Sequence, residues 1–143
     1  MRAVLLPLVL LAACAHVPNP CERTVALRQE FGFALPKLAV QHQGEAHALD
    51  IDVRYHYADA LPVAQYPDFV PMAKEVTEYL THYEPAGDFW EVLNQRLVDR
   101  LMQEHPELTD LTIKLQVDPT SRLPYHRFSR VARSREGCLP VGR

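Results

Sequence analysis

Glycine is scarce in this chain, with five in 143 residues. None belongs to the closely spaced set with which a loop brings backbone N–H groups up to a phosphate, so nucleotide binding of the P-loop or dinucleotide type has no basis in the sequence. A basic excess is missing as well. Fifteen lysines and arginines stand against eighteen aspartates and glutamates, a formal charge of -3, and nothing marks nucleic acid as a partner. Seven histidines are present, but none has HxH or HExxH spacing. His42 and His47 flank a turn and His56 lies on the polar side of an alternating segment, which gives no metal-ligand set and no cofactor. Nor is there a serine in a nucleophile elbow, an internal repeat of solenoid period or a low-complexity tract. Long apolar runs are also missing. AVLLPLVLLAA after Arg2 has eleven residues, where a membrane-spanning helix needs roughly 20. Residues 1–13 therefore read as a signal-peptide core and stay outside fold reasoning.

The run ends in Leu11-Ala12-Ala13 and meets Cys14, a tetrapeptide that resembles a bacterial lipobox. The resemblance implies that Cys14 receives lipid and becomes the mature N-terminus; ordinary secretion, with cleavage at Ala13 or Ala15, is the alternative. Ala15 in place of Asp after the cysteine resembles the pattern sent to the outer membrane, so the expected location is the cell envelope, lipid-anchored and facing the periplasm. Only two other thiols exist, Cys21 and Cys138, one near each end in an oxidising compartment, and they are expected to pair. A single bridge is no disulfide framework, so the fold must rest on a hydrophobic core. Residues 14–36 read as tether and lead-in, with two prolines and an asparagine in Ala15–Pro20. The rest suffices for one domain, over residues 37–133, followed by a polar tail over 134–143.

The best-signposted element is a helix over Asp88–Pro106. Asp88 and Glu91 have capping-box spacing, and Phe89, Leu93, Leu97 and Leu101, widened by Trp90, Val98 and Met102, form its apolar stripe. A second amphipathic helix is expected from Asp68 or Phe69 to Tyr83, with Pro71 tolerated in its first turn. Leu49, Ile51, Val53, Tyr55 and Tyr57 alternate with Asp50, Asp52, Arg54 and His56, the period of a half-buried strand. Leu111, Ile113, Leu115 and Val117 repeat that pattern, and weaker strands are expected over Lys37–His42 and Tyr125–Val131. Glu22–Phe33 fits neither period. The exposed edges of such a sheet invite pairing with another copy.

The ββααββ order, with FWEVLNQRLVDRLMQEHP followed by LTIKLQVDP, resembles the tunnelling-fold (T-fold) family, and within it dihydroneopterin aldolases, over about Leu38 to Arg133. The resemblance implies a single α+β domain with an antiparallel four-stranded sheet and two antiparallel helices on one face. It also implies homo-oligomers that close edge to edge, with sites between subunits. Tyr66-Pro67-Asp68-Phe69 and PTSRLPYHRFSRV resemble the family's first-helix start and its last loop and strand.

Residue by residue, Glu91 matches the carboxylate that anchors the pterin, where two acceptors meet two N–H donors in charge-assisted bonds; the capping box accounts for it equally. Tyr66 matches a tyrosine acting in proton transfer, or is a packing aromatic. Glu45 matches an acidic residue ahead of the second strand, or is a solvated turn charge. Asp118 breaks the pattern: the aldolases have lysine there, in acid-base chemistry. Lys114 shares its face but lies four residues, about 13 Å, back. Folate intermediates are also made in the cytoplasm, not in the envelope. Two readings stay open. One is a protein that binds a pterin-like or purine-like small molecule, with aldolase (carbon–carbon lyase) activity in doubt. The other is a non-catalytic scaffold or interaction lipoprotein.

Overall fold

The computed structural model describes residues 29–58, 61–85 and 87–135. The chain runs through β1 (Phe31–His42), β2 (Glu45–Tyr57), a 3-10 turn (Val63–Gln65), α1 (Phe69–Thr81), α2 (Trp90–Glu104), β3 (Leu108–Val117) and β4 (Arg127–Ser134). The strands form one antiparallel sheet in the order β1-β2-β3-β4. Both helices lie on one face and run antiparallel, since Glu75 of α1 meets Arg100 of α2 while Tyr83 beyond α1 meets Arg96. This is the ββααββ, α+β architecture expected.

The core lies between that face and the helices. Leu49, Ile51, Val53 and Tyr55 of β2 and Leu111, Ile113, Leu115 and Val117 of β3 are buried, with Met72, Val76 and Leu80 of α1 and Leu93, Leu97, Val98 and Leu101 of α2. Each fully buried aliphatic contributes about 1.5–3 kcal/mol, whereas an exposed ion pair contributes about 0–1 kcal/mol. The numerous surface pairs therefore tune a fold that the core holds.

β1 begins at Phe31, six residues before the strand expected at Lys37. Pairing steps from Leu35↔Ile51 to Leu38↔Leu49, so three residues of β1 match two of β2, a β-bulge. Lys37 has φ 52°, and Pro36 lacks an N–H, which an edge strand tolerates. The extra residue flips the apolar phase: Phe31, Phe33 and Leu35 face the helices before it, and Leu38 and Val40 after it. Strict alternation fails over the whole strand for that reason. β4 is likewise shifted from its expected range and reaches Ser134, placed here in the polar tail by sequence.

α1 starts on Asp68, whose Oδ1 accepts from the Val70 N–H at 3.0 Å. At the far end of α2, the Arg135 guanidinium donates to the carbonyls of Met102 and His105, placing a cation at the negative end of the helix. Among the described residues no helix is long and apolar enough to cross a membrane. Cys14, Cys21 and Cys138, with the expected lipid attachment and disulfide, lie outside the described residues.

Candidate functional site

The capping box expected of Asp88 and Glu91 does not form. α2 begins one residue later, on Phe89, which offers no side-chain bond and is exposed instead of joining the apolar stripe. Asp88 is drawn elsewhere: its Oδ2 accepts from the Tyr83 hydroxyl and from Arg96 Nη1 at 2.6 Å. A charge-assisted bond to a guanidinium outcompetes a neutral backbone N–H. The Asp88 carbonyl accepts from Gln43 Nε2 at 2.8 Å, which ties the β1–β2 turn to the approach to α2. Glu91 is left exposed in the first turn of α2, with no hydrogen bond or ion pair to another described residue.

Asp118 follows β3, and its N–H donates to the Ala48 carbonyl at 3.0 Å. Its carboxylate is not free. Lys37 Nζ lies 2.8 Å from Asp118 Oδ2 and 3.0 Å from Asp50 Oδ2, and the Lys37 N–H donates to Asp50 Oδ1 at 3.0 Å. The ammonium therefore comes from the bulge of β1, across β2, and not from Lys114, which donates to Gln116 Oε1 at 3.4 Å. Asp118 first and Asp50 second raise the Lys37 pKa, and Lys37 in turn lowers that of Asp50. At neutral pH the triad is a cation between two anions, able to orient a polar ligand but poorly disposed to take a proton.

Glu45 opens β2 and accepts from Arg122 Nη1 at 3.0 Å, an arginine of the β3–β4 loop. The β1–β2 turn, the end of β3 and the start of α2 all lie at this end of the sheet, with Glu45 and Glu91 on the helix side and Asp118 on the helix-free side. Tyr66 is at the other end. Its ring packs 4.6 Å from that of Tyr57, which pairs with Leu108 at the start of β3. Eight residues of β2 separate Tyr57 from Leu49, beside Val117, a span of about 27 Å. Tyr66 and Asp118 of one chain thus cannot flank one small molecule.

Two of the surface depressions among the described residues bear on the site. One, of about 260 Å³, opens on the helix-free face beside the bulge and is lined by Pro36, Asp50, Asp52, Lys114 and Gln116. The other, of about 480 Å³, lies between the helices, with Glu75, Glu78, Tyr79, Tyr83 and Arg100 in its walls. Glu45, Tyr66, Glu91 and Asp118 line neither. Among the described residues no three His, Cys, Asp or Glu side chains form a metal-ligand set.

Sequence reasoning missed Lys37, because its partner Asp118 is 81 residues away; the only local signal was Pro36-Lys37 interrupting an alternating segment. It also missed that His42 and His47 point into the core, where they pack against Trp90. Their spacing on the phase of Leu38, Val40 and Leu49 carried that information. Compared with known protein families and with curated proteins, the chain matches none.

Proposed function

We propose that this chain is an envelope lipoprotein of the tunnelling-fold type, anchored through lipid on Cys14, that assembles edge to edge and binds a pterin-like or purine-like heterocycle through Glu91. The observation that carries the reading is the exposed Glu91 carboxylate in the first turn of α2, relieved of the capping role that would otherwise account for it. Its sheet end also carries Glu45 on the same side, with Asp118 on the opposite face. The helix N-terminus beside it leaves backbone N–H groups unpaired, so the locality offers acceptors and donors to a flat amino-heterocycle. Tyr66 lies too far away in the same chain, which suits a site completed by a second copy along the β1 or β4 edge, neither of which pairs with another strand among the described residues.

Aldolase turnover is absent or very slow in this reading. Lys37 brings an ammonium to Asp118, but two carboxylates hold it protonated, so it does not serve as a general base near neutral pH. A scaffold without a ligand is the second reading, favoured by the fact that Glu91 lines neither of the two depressions described above.

Thermal shift of the purified full chain with pterins and purines, read beside light scattering for oligomer size, separates the two. Ligand-dependent stabilisation lost in Glu91→Gln supports the first. The expected loss is about 1.5–3 kcal/mol, roughly ten- to hundredfold in affinity, because an amide presents one acceptor to two donors. An assembled oligomer that binds no pterin or purine leaves the scaffold. Labelling with a palmitate analogue that marks wild type but not Cys14→Ala supports the anchor, and an unlabelled wild type removes it.

A further inference from the structure

Where the β1–β2 hairpin meets α2, several nitrogen atoms are buried without partners. His42, His47 and Trp90 are only 4%, 7% and 8% exposed. The His42 ring centroid lies 4.2 Å from that of Trp90, and the His47 ring meets Trp90 edge-on at 5.3 Å. His47 Nε2 donates to the His42 carbonyl at 3.3 Å, which places the proton on that nitrogen and leaves Nδ1 bare. His47 Nδ1, both ring nitrogens of His42 and Trp90 Nε1 form no hydrogen bond of good geometry among the described residues, and the Asp88 carbonyl that acts on His42 already accepts from Gln43 Nε2. Native proteins satisfy most buried polar atoms, so four orphans in one cluster call for an explanation. Neutral imidazoles are tolerable there. A charged one is not, because a buried charge without a partner is far more costly than a buried dipole.

We propose that His42 and His47, packed on Trp90, form an acid-sensitive latch that keeps the first turn of α2 docked on the β1–β2 hairpin at neutral pH and releases it on acidification. The groups around the cluster favour release. From α2 and its approach, the negative charge felt by His42 is that of Asp88, already engaged by Arg96 and Tyr83. The Tyr83 ring, beyond α1, lies 6.1 Å from the His42 ring and is uncharged. Glu45, paired with His42 across the hairpin, is held by Arg122. From β3, Asp118 is held by Lys37. On β4, Arg127 buries guanidinium nitrogens without a partner at this same sheet end, adding positive charge. Burial lowers the His42 pKa, the second histidine adds to that, and the Asp88 carbonyl and carboxylate act against it. With the folded value below 6.5, stability is intact above that pH and falls as the pH drops from there toward the folded value. Trp90 precedes Glu91 in the chain, so release displaces Glu91 whatever that residue binds.

Trp90 is the only tryptophan, which gives the test a local reporter. Fluorescence of the full chain is followed from pH 8 to pH 4.5 beside far-ultraviolet circular dichroism, and the His42 ring protons are titrated by NMR. The latch requires a Trp90 emission change centred below pH 6.5 while the dichroism stays constant, a His42 midpoint below 6.5, and loss of the transition in the His42→Phe, His47→Phe double variant. A flat Trp90 signal over that range, the same transition in the double variant, or a His42 midpoint at or above 6.5 overturns it. The NMR titration uses wild type, so the test holds whether or not the variant folds.

Discussion

Lys37 Nζ bridges Asp50 and Asp118 at 3.0 and 2.8 Å, joining the bulge of β1, the interior of β2 and the residue after β3 through one ammonium on the helix-free face. Lys37→Met removes that bridge. The Asp50 pKa, held down first by the Lys37 side chain, should then rise toward its ordinary value. The stability linked to that depression is present above the unfolded carboxylate pKa and is lost as pH falls through the folded one; the variant lacks this acid-sensitive part. Carboxyl carbon titration of both proteins checks it, and an Asp50 midpoint unmoved by the substitution contradicts the bridge.

Asn94 is fully buried in α2, and its Nδ2 donates to the Ile113 carbonyl and to Ser129 Oγ at 3.1 Å each. It pins the helix to β3 and β4 through polar contacts inside an apolar core. Asn94→Ala strands those acceptors and should cost about 1–3 kcal/mol in urea unfolding. Asn94→Asp should cost more, since it turns a carboxylate toward two oxygens. Wild-type stability in either variant would show that the bonds are dispensable.

Gly32 and Gly44 should respond to alanine for different reasons. A Cβ on Gly32 would lie 2.5 Å from the Val53 carbonyl oxygen, a backbone atom of the paired strand, so β1 must shift, at about 1–3 kcal/mol. Gly44 has open space around it but φ +77°, and alanine there should cost about 1–2 kcal/mol through the left-handed backbone alone. Chemical denaturation gives both numbers. Backbone amide shifts should spread into β2 only for Gly32→Ala.

The Tyr83 hydroxyl donates to Asp88 beside Arg96, and its pKa is pushed up to about 12, by burial first and by that bond second. A raised value means that the folded state keeps its proton longer. Stability should hold below pH 10 and decline as the pH rises from 10 toward 12. Tyr83→Phe should remove its share of that alkaline decline, leaving the part due to the buried Tyr55, and cost about 0.5–1.5 kcal/mol at neutral pH, measured by urea unfolding with ultraviolet titration of tyrosinate. Arg96 retains Asp88 in the variant, which keeps the loss modest.

Leu49 to His56 and Leu111 to Val117 announce their strands in the sequence because each has one wet and one dry face and unbroken pairing with the other. Met72, Val76 and Leu80 do the same for α1. Phe31 to Leu35 could not be joined to Leu38 and Val40, because the bulge at Lys37 shifts the period by one. Phe89 extends an apolar stripe in sequence yet stands outside the helix, since Asp88 prefers a guanidinium to a cap. The candidate site was half legible. Glu45 and Glu91 lie on the helix side of one sheet end and Asp118 on its helix-free side, Tyr66 lies at the opposite end, and Lys37 arrives through a contact no local pattern encodes.

The bulge at Pro36-Lys37 also limits which strand can be laid along the outer edge of β1. Before it and after it, the outward N–H and C=O groups fall out of step by one residue, and Pro36 contributes no donor at all. A straight strand that matches Phe31 to Leu35 therefore loses register at Leu38, and one that matches Leu38 to His42 loses it at Leu35. Only a neighbour with a compensating irregularity, or one content with half the edge, can continue the sheet. The same residue that carries an ammonium to Asp118 thus makes β1 a selective edge, closed to the indiscriminate stacking that an unbroken twelve-residue strand would allow.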